Sequence, residues 1–185
     1  MTNPPTLSLS RRSSAFTLIE LVVAIAITTL LVSAAYPAFQ DWLAATQLAN
    51  HAKQMAESMT RARTEAIRRG YRVNLCKSTD QRHCVNRGGW EGGYIVFVDA
   101  NRDGQVDDDA SVLGVEGRAP PGITVEANRP LENYVSYTSL GHARMLNGAL
   151  QMGTLTVCRK GQRALHVVLA GTGRVRIEKT DTRCR

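Results

Sequence analysis

None of the common local signatures of a catalytic or metal centre occurs in this sequence. The four cysteines (Cys76, Cys84, Cys158 and Cys184) include no C-x-x-C pair, and no histidine stands at zinc-ligand spacing from them, which argues against a thiolate metal site. His51, His83, His142 and His166 are scattered, without an H-E-x-x-H or triad-like context, and no G-x-x-x-x-G-K-[ST] phosphate loop is present. Neither an enzyme nor a resident cofactor is expected. Charge is missing altogether from residues 21–40, LVVAIAITTLLVSAAYPAFQ, between Glu20 and Asp41.

That uncharged run is the first thing the sequence does have. As helix, about 20 residues reach roughly 30 Å, the thickness of a bilayer's hydrocarbon core. Arg11 and Arg12 precede it and no comparable basic cluster follows closely, so the positive-inside rule leaves the N-terminus cytoplasmic and exports the rest. A secretory signal peptide would have a shorter apolar region ending in an A-x-A-like site, for which Ser33-Ala34-Ala35 is a candidate. Glu20 argues against it, because a carboxylate at the head of an apolar helix is costly in lipid and implies a partner.

Pro37 is expected to kink the helix without ending it. Beyond it, Trp42, Ala45, Leu48, Ala52, Met55, Met59, Ala62 and Ala66 recur at steps of three and four. They form one apolar stripe on a helix that reaches about Arg69 and stops at Gly70. From Tyr71 the pattern turns to short β-type runs divided by Gly, Asn and Pro. Strands are expected at 72–76, 94–98, 111–115, 124–127, 135–138, 154–158, 165–170 and 174–178. A long helix covered by an antiparallel sheet is an α+β architecture. An even number of cysteines on an exported domain reads as disulfides, with three possible pairings. Cys76–Cys84 and Cys158–Cys184 are favoured because each closes a short stretch.

The string Ser14-Ala15-Phe16-Thr17-Leu18-Ile19-Glu20 resembles the leader of type IV prepilins and type II secretion pseudopilins. Four further strings occur in order: Ala62-Arg63-x-Glu65-Ala66, Val73-Asn74-Leu75-Cys76, Trp90-Glu91-Gly92-Gly93-Tyr94 and Asn101-x-Asp103-Gly104. With the leader they make the chain similar to the GspH/FimT family of minor pilins and pseudopilins, from Phe16 to at least Arg176. The resemblance implies a type IV pilin-like fold and three segments: a leader at 1–15, a membrane and assembly half-helix at 16–42, and a periplasmic or extracellular globular domain at 43–185. It implies that a prepilin peptidase cuts between Ala15 and Phe16 and methylates the new amine. Glu20 would then pair with the amine of a neighbouring subunit. The family normally has Gly where this chain has Ala15.

Two polar clusters remain. Asp99, Asn101, Asp103 and Asp107 stand at calcium-loop spacing, but the closing bidentate position falls on Ala110, so a polar hairpin turn is the stronger expectation and calcium the weaker one. From Cys158 to Arg185 lie Arg159, Lys160, Arg163, Arg174, Arg176, Lys179, Arg183 and Arg185 against only Glu178 and Asp181. Arg174 and Arg176, two apart on a strand, should project side by side while Val175 and Ile177 face inward. Paired guanidiniums suit phosphate, and the lack of aromatics here favours backbone contact over base stacking. Gly173-Arg174-x-Arg176 also resembles a motif of the FimT branch, which implies DNA as partner, bound largely regardless of sequence during natural transformation. A purely structural pilin or pseudopilin is the alternative, with the arginines merely blunting a sheet edge.

Overall fold

A computed structural model describes residues 17–185. The helix α1 spans Leu18–Arg69 with Pro37 inside it, and Gly70 follows with φ of +73°, the left-handed conformation that ends helices. The chain divides into a unit ending at Gln40 and a unit Asp41–Arg185.

In the first unit the described side chains are all exposed, as the expected membrane segment requires. Its Ser and Thr hydroxyls are satisfied locally: Thr28 Oγ1 donates to the Ala24 carbonyl (2.8 Å) and Ser33 Oγ to that of Leu30 (2.8 Å). Such internal pairing lets polar groups sit in hydrocarbon without an unmet hydrogen bond.

In the second unit α1 buries Leu48, Ala52, Met55, Met59, Ala62 and Ala66, the stripe expected from the sequence. Eight strands follow: β1 (Arg72–Lys77), β2 (Tyr94–Asp99), β3 (Val112–Glu116), β4 (Ile123–Ala127), β5 (Tyr134–Tyr137), β6 (Gly153–Arg159), β7 (Arg163–Leu169) and β8 (Val175–Arg183). All eight expected strands are present, but they form two antiparallel four-stranded sheets, ordered β3-β2-β1-β5 and β4-β6-β7-β8. Each closes its own ladder, and both contribute to one apolar core with α1: Val73, Leu75 and Tyr137 from the first sheet, Val125, Leu155 and Val167 from the second. Each such side chain stabilises by roughly 1.5–3 kcal/mol on burial. A smaller cluster of Cys76, Ile95 and Phe97 fills the other face of the first sheet. Trp90 is buried and donates its indole N–H to the Leu131 carbonyl (3.0 Å).

Two disulfides are formed, Cys76–Cys84 and Cys158–Cys184, with Cα atoms 5.5 and 5.6 Å apart. The second holds the C-terminus to the end of β6, and Cys184 also exchanges backbone hydrogen bonds with the β6–β7 turn at Gly161 and Gln162.

Candidate functional site

At the head of α1, the Glu20 carboxylate accepts from the Thr17 amide (2.9 Å) and the Thr17 hydroxyl (3.0 Å), while Thr17 Oγ1 accepts from the Glu20 amide (3.4 Å). This is a capping box, T-x-x-E, which satisfies amides that the first helical turn leaves open. The pattern is visible in the sequence, and reading Glu20 only as an assembly residue misses it. Ala15 and Phe16, on either side of the expected cut, lie outside the described residues, as do Arg11 and Arg12.

The basic C-terminal residues are brought to one sheet but not to one face. β8 is an edge strand, paired only with β7, and its register sets the direction of each side chain. Arg176 lies opposite Val168 and Glu178 opposite His166, on the face turned away from the core residues Leu165, Val167 and Leu169. Lys179 lies opposite Leu165, and after a bulge Arg183 lies opposite Arg163, on the side facing α1. Arg163, Lys179 and Arg183 accordingly line a groove with Trp42, Ala45 and Leu48. Arg159 also turns to α1, where its guanidinium donates to Gln47. Lys160 and Arg185 line a separate recess with Thr124, Glu126 and Thr156. One basic surface holding all eight residues is therefore not what forms, because strand alternation distributes them over two faces.

The Arg174–Arg176 pair is built by a turn. Gly173 has φ of +84°, and a Cβ there would collide with the Gly141 carbonyl and crowd the Arg63 guanidinium. Arg63 Nε donates to that same carbonyl at 2.9 Å, which locks the turn to α1. Arg174 is exposed, and its side chain has no hydrogen-bond or ion-pair partner among the described residues. Arg176 is exposed and paired with Glu178 at 2.5 Å. Val175 packs on the core, and Ile177, opposite the buried Val167, faces inward as expected but stays 42 % exposed, because at a sheet edge nothing covers it completely. Beside this strand, Lys53, Glu57 and Arg61 of α1 share a recess with Arg176. Sequence reasoning missed Lys53 and Arg61; their spacing of eight puts them on one helical face and was the available signal.

The acidic turn is self-contained. Asn101 Nδ2 donates to Asp103 (3.0 Å) and Asp107 (2.9 Å), and the amides of Asp103 and Gln105 close Asx-type turns on Asn101 and Asp103. Asp99 is buried beneath, accepting from Asn74 (2.6 Å) and the Gly104 amide (3.2 Å). Among the described residues no three His, Cys, Asp or Glu side chains are grouped to hold a metal ion, so the weaker calcium expectation gains no support.

The family model described as Type II transport protein GspH matches residues 51–173, well over half of the chain. The prokaryotic N-terminal methylation motif matches residues 10–36, which include Ala15, Phe16 and Glu20. A comparison with curated protein sequences finds no match. Among solved structures, the type IV minor pilin FimU of Pseudomonas aeruginosa is similar at a TM-score of 0.55 and 17 % identity, over 74 % of this chain and 95 % of FimU. The minor pseudopilin EpsH of the Vibrio cholerae Type 2 Secretion System scores 0.47 at 15 % identity, over 72 % of this chain and 97 % of EpsH. At 17 % identity the likeness to FimU speaks for the fold alone, and the family match over residues 51–173 decides membership: the chain belongs to the GspH family.

Proposed function

We propose that this minor pilin binds extracellular DNA through phosphate contacts on the outer edge of β8, for uptake in natural transformation. The observation that carries the reading is the pair Arg174 and Arg176 on an unpaired strand edge. Among the described residues one guanidinium lacks a partner, and the other is held by an exposed carboxylate that a phosphate can displace. Arg61 shares a recess with Arg176 and adds charge to the same edge, beside Lys53, which is paired with Glu57 at 3.7 Å. Lys160 and Arg185, on the outer side of the second sheet, extend it. Such contacts read no base and weaken steeply with salt.

In this reading the chain crosses the inner membrane once with its N-terminus cytoplasmic, and prepilin peptidase cuts it between Ala15 and Phe16. Assembly exchanges the Glu20–Thr17 capping contact for a bond to the Phe16 amine of a neighbouring subunit. An ammonium and a carboxylate neutralise each other where water is scarce. A purely structural filament role is favoured by a different observation. Leu140 is 76 % exposed, and Leu150 and Met152 are also open, which suits contact with other pilin subunits.

A mobility-shift titration of the Asp41–Arg185 unit, which contains the whole core, separates the two readings. Arg174→Ala with Arg176→Ala is expected to weaken binding equally across DNA sequences. It should also reduce the slope of log affinity against log salt by about 2. A wild-type unit that shifts no DNA at low salt leaves the structural role standing alone.

A further inference from the structure

We infer that the groove between the start of the second unit's helix and β7–β8 is a headgroup site for an anionic phospholipid of the membrane the chain crosses. The inference rests on the membrane-anchored pilin reading and is independent of DNA binding.

The groove encloses about 660 Å³ and has two chemistries. Ala45, Leu48 and Ala49 of α1 and Leu165 of β7 make an apolar floor. Arg163, Lys179 and Arg183 stand around it, placed there by the cross-strand pairs Arg163–Arg183 and Leu165–Lys179. The facing charges are few. Asp181 pairs with Arg163 at 3.5 Å on a fully exposed side chain, and Asp41 lies on α1, its backbone carbonyl accepting from Gln162 (3.4 Å). Three positive groups thus line the groove, and neither carboxylate does.

Position selects the occupant. Trp42, which lines the groove, comes two residues after the uncharged run 21–40 ends. A tryptophan at that point of a membrane helix sits at headgroup level. Cations at this level attract anionic lipid over a distance of one Debye length, which Lys and Arg side chains in a groove easily meet. A cationic rim above an apolar floor matches a phosphodiester joined to acyl chains, whereas a DNA backbone has nothing to place on Ala45, Leu48 and Leu165. The division of the basic residues over two faces thereby acquires a purpose: Arg174 and Arg176 lie on the open edge of β8, and Arg163, Lys179 and Arg183 line the groove.

The test uses the full-length protein in nanodiscs of phosphatidylcholine alone or mixed with phosphatidylglycerol, with retained lipid counted by native mass spectrometry. The wild type should keep phosphatidylglycerol and release phosphatidylcholine. Arg163→Glu, Lys179→Glu and Arg183→Glu together should retain about a hundredfold less, and Arg174→Glu with Arg176→Glu should retain as much as wild type. The single variants Lys179→Gln and Arg183→Gln, both at exposed positions, give an intermediate loss if the triple variant misfolds. Equal retention by wild type and the groove variants overturns the inference, as does equal retention of the two lipids. Mobility shifts on the same proteins keep the readings apart. Loss of DNA binding confined to the groove variants, with lipid retained, would assign the groove to DNA instead. Loss confined to Arg174 and Arg176 would support DNA binding at the edge and leave the lipid site to its own result.

Discussion

The two sheets have four strands each and are exposed very differently. In β3-β2-β1-β5 the central strands are covered on both faces: β1 is buried from Val73 to Lys77, and β2 everywhere but Val98. One face meets α1 and the other meets the Cys76–Ile95–Phe97 cluster. In β4-β6-β7-β8 the last strand is open along nearly all of its nine residues. A strand buried on both faces is mostly apolar, pairs the polar groups it does bury (Asn74 with Asp99, Lys77 with the Gly88 carbonyl), and can do little except hold the fold. An exposed edge strand is kept by its backbone ladder and by a disulfide, which leaves its side chains available for charge. The difference teaches where this GspH-family chain can change its surface without changing its architecture.

The sharpest test of that contrast uses one residue type in both places. Ile95 is fully buried in the first sheet, and Ile177 is 42 % exposed on β8. Ile95→Ala should cost about 2–5 kcal/mol, through lost burial and a cavity the packed cluster cannot close. Ile177→Ala should cost less than about 1 kcal/mol. Urea unfolding of the Asp41–Arg185 unit measures both, and equal midpoints for the two variants would break the comparison.

The disulfides come next in size. By loop closure, Cys158–Cys184, with a separation of 26, is worth about 3.5 kcal/mol, and Cys76–Cys84, with a separation of 8, about 2.5 kcal/mol. The consequences should differ in place as well as magnitude. Replacing Cys158 and Cys184 by Ala is expected to raise amide exchange along β8 and the Arg183–Arg185 tail. Replacing Cys76 and Cys84 should loosen the loop after β1 and leave β8 protected. Exchange measured by mass spectrometry on both variants checks this, and protection of β8 without its disulfide would show that the ladder alone suffices.

Much of this architecture was legible in the sequence for local reasons. The apolar stripe from Leu48 to Ala66 and the glycine at position 70 define the second half of α1, and turn residues separate all eight strands. Their division into two sheets was not legible, since β5 joins β1 and β4 joins β6 across long separations that no local pattern encodes. The end of β8 was missed because Lys179–Arg183 is polar on both faces, where alternation gives no signal. The same alternation did contain the division of the basic residues: Lys179 and Arg183 share parity with Val175, and Arg176 does not. Counting charge along the tail hid what counting by twos reveals.

The smallest expected effect concerns a charge that the buried side of the molecule cannot accept, in contrast to the open cations of β8. His51 lies on α1, buried, with Nε2 lacking a hydrogen-bond partner among the described residues. Burial pushes its pKa below the ordinary value of about 6.5, against a weaker opposing pull from Glu91. The folded protein therefore binds this proton less readily than the unfolded chain. The stabilising contribution is complete above about pH 6.5 and is lost as pH falls toward the lowered folded value. Thermal melts of the Asp41–Arg185 unit at about pH 7 and pH 5 should show a larger fall for wild type than for His51→Gln. That comparison cancels the carboxylates common to both proteins, along with any constant cost of the substitution. Identical pH slopes would mean that folding leaves the affinity of His51 for its proton unchanged, contrary to the effect of its burial.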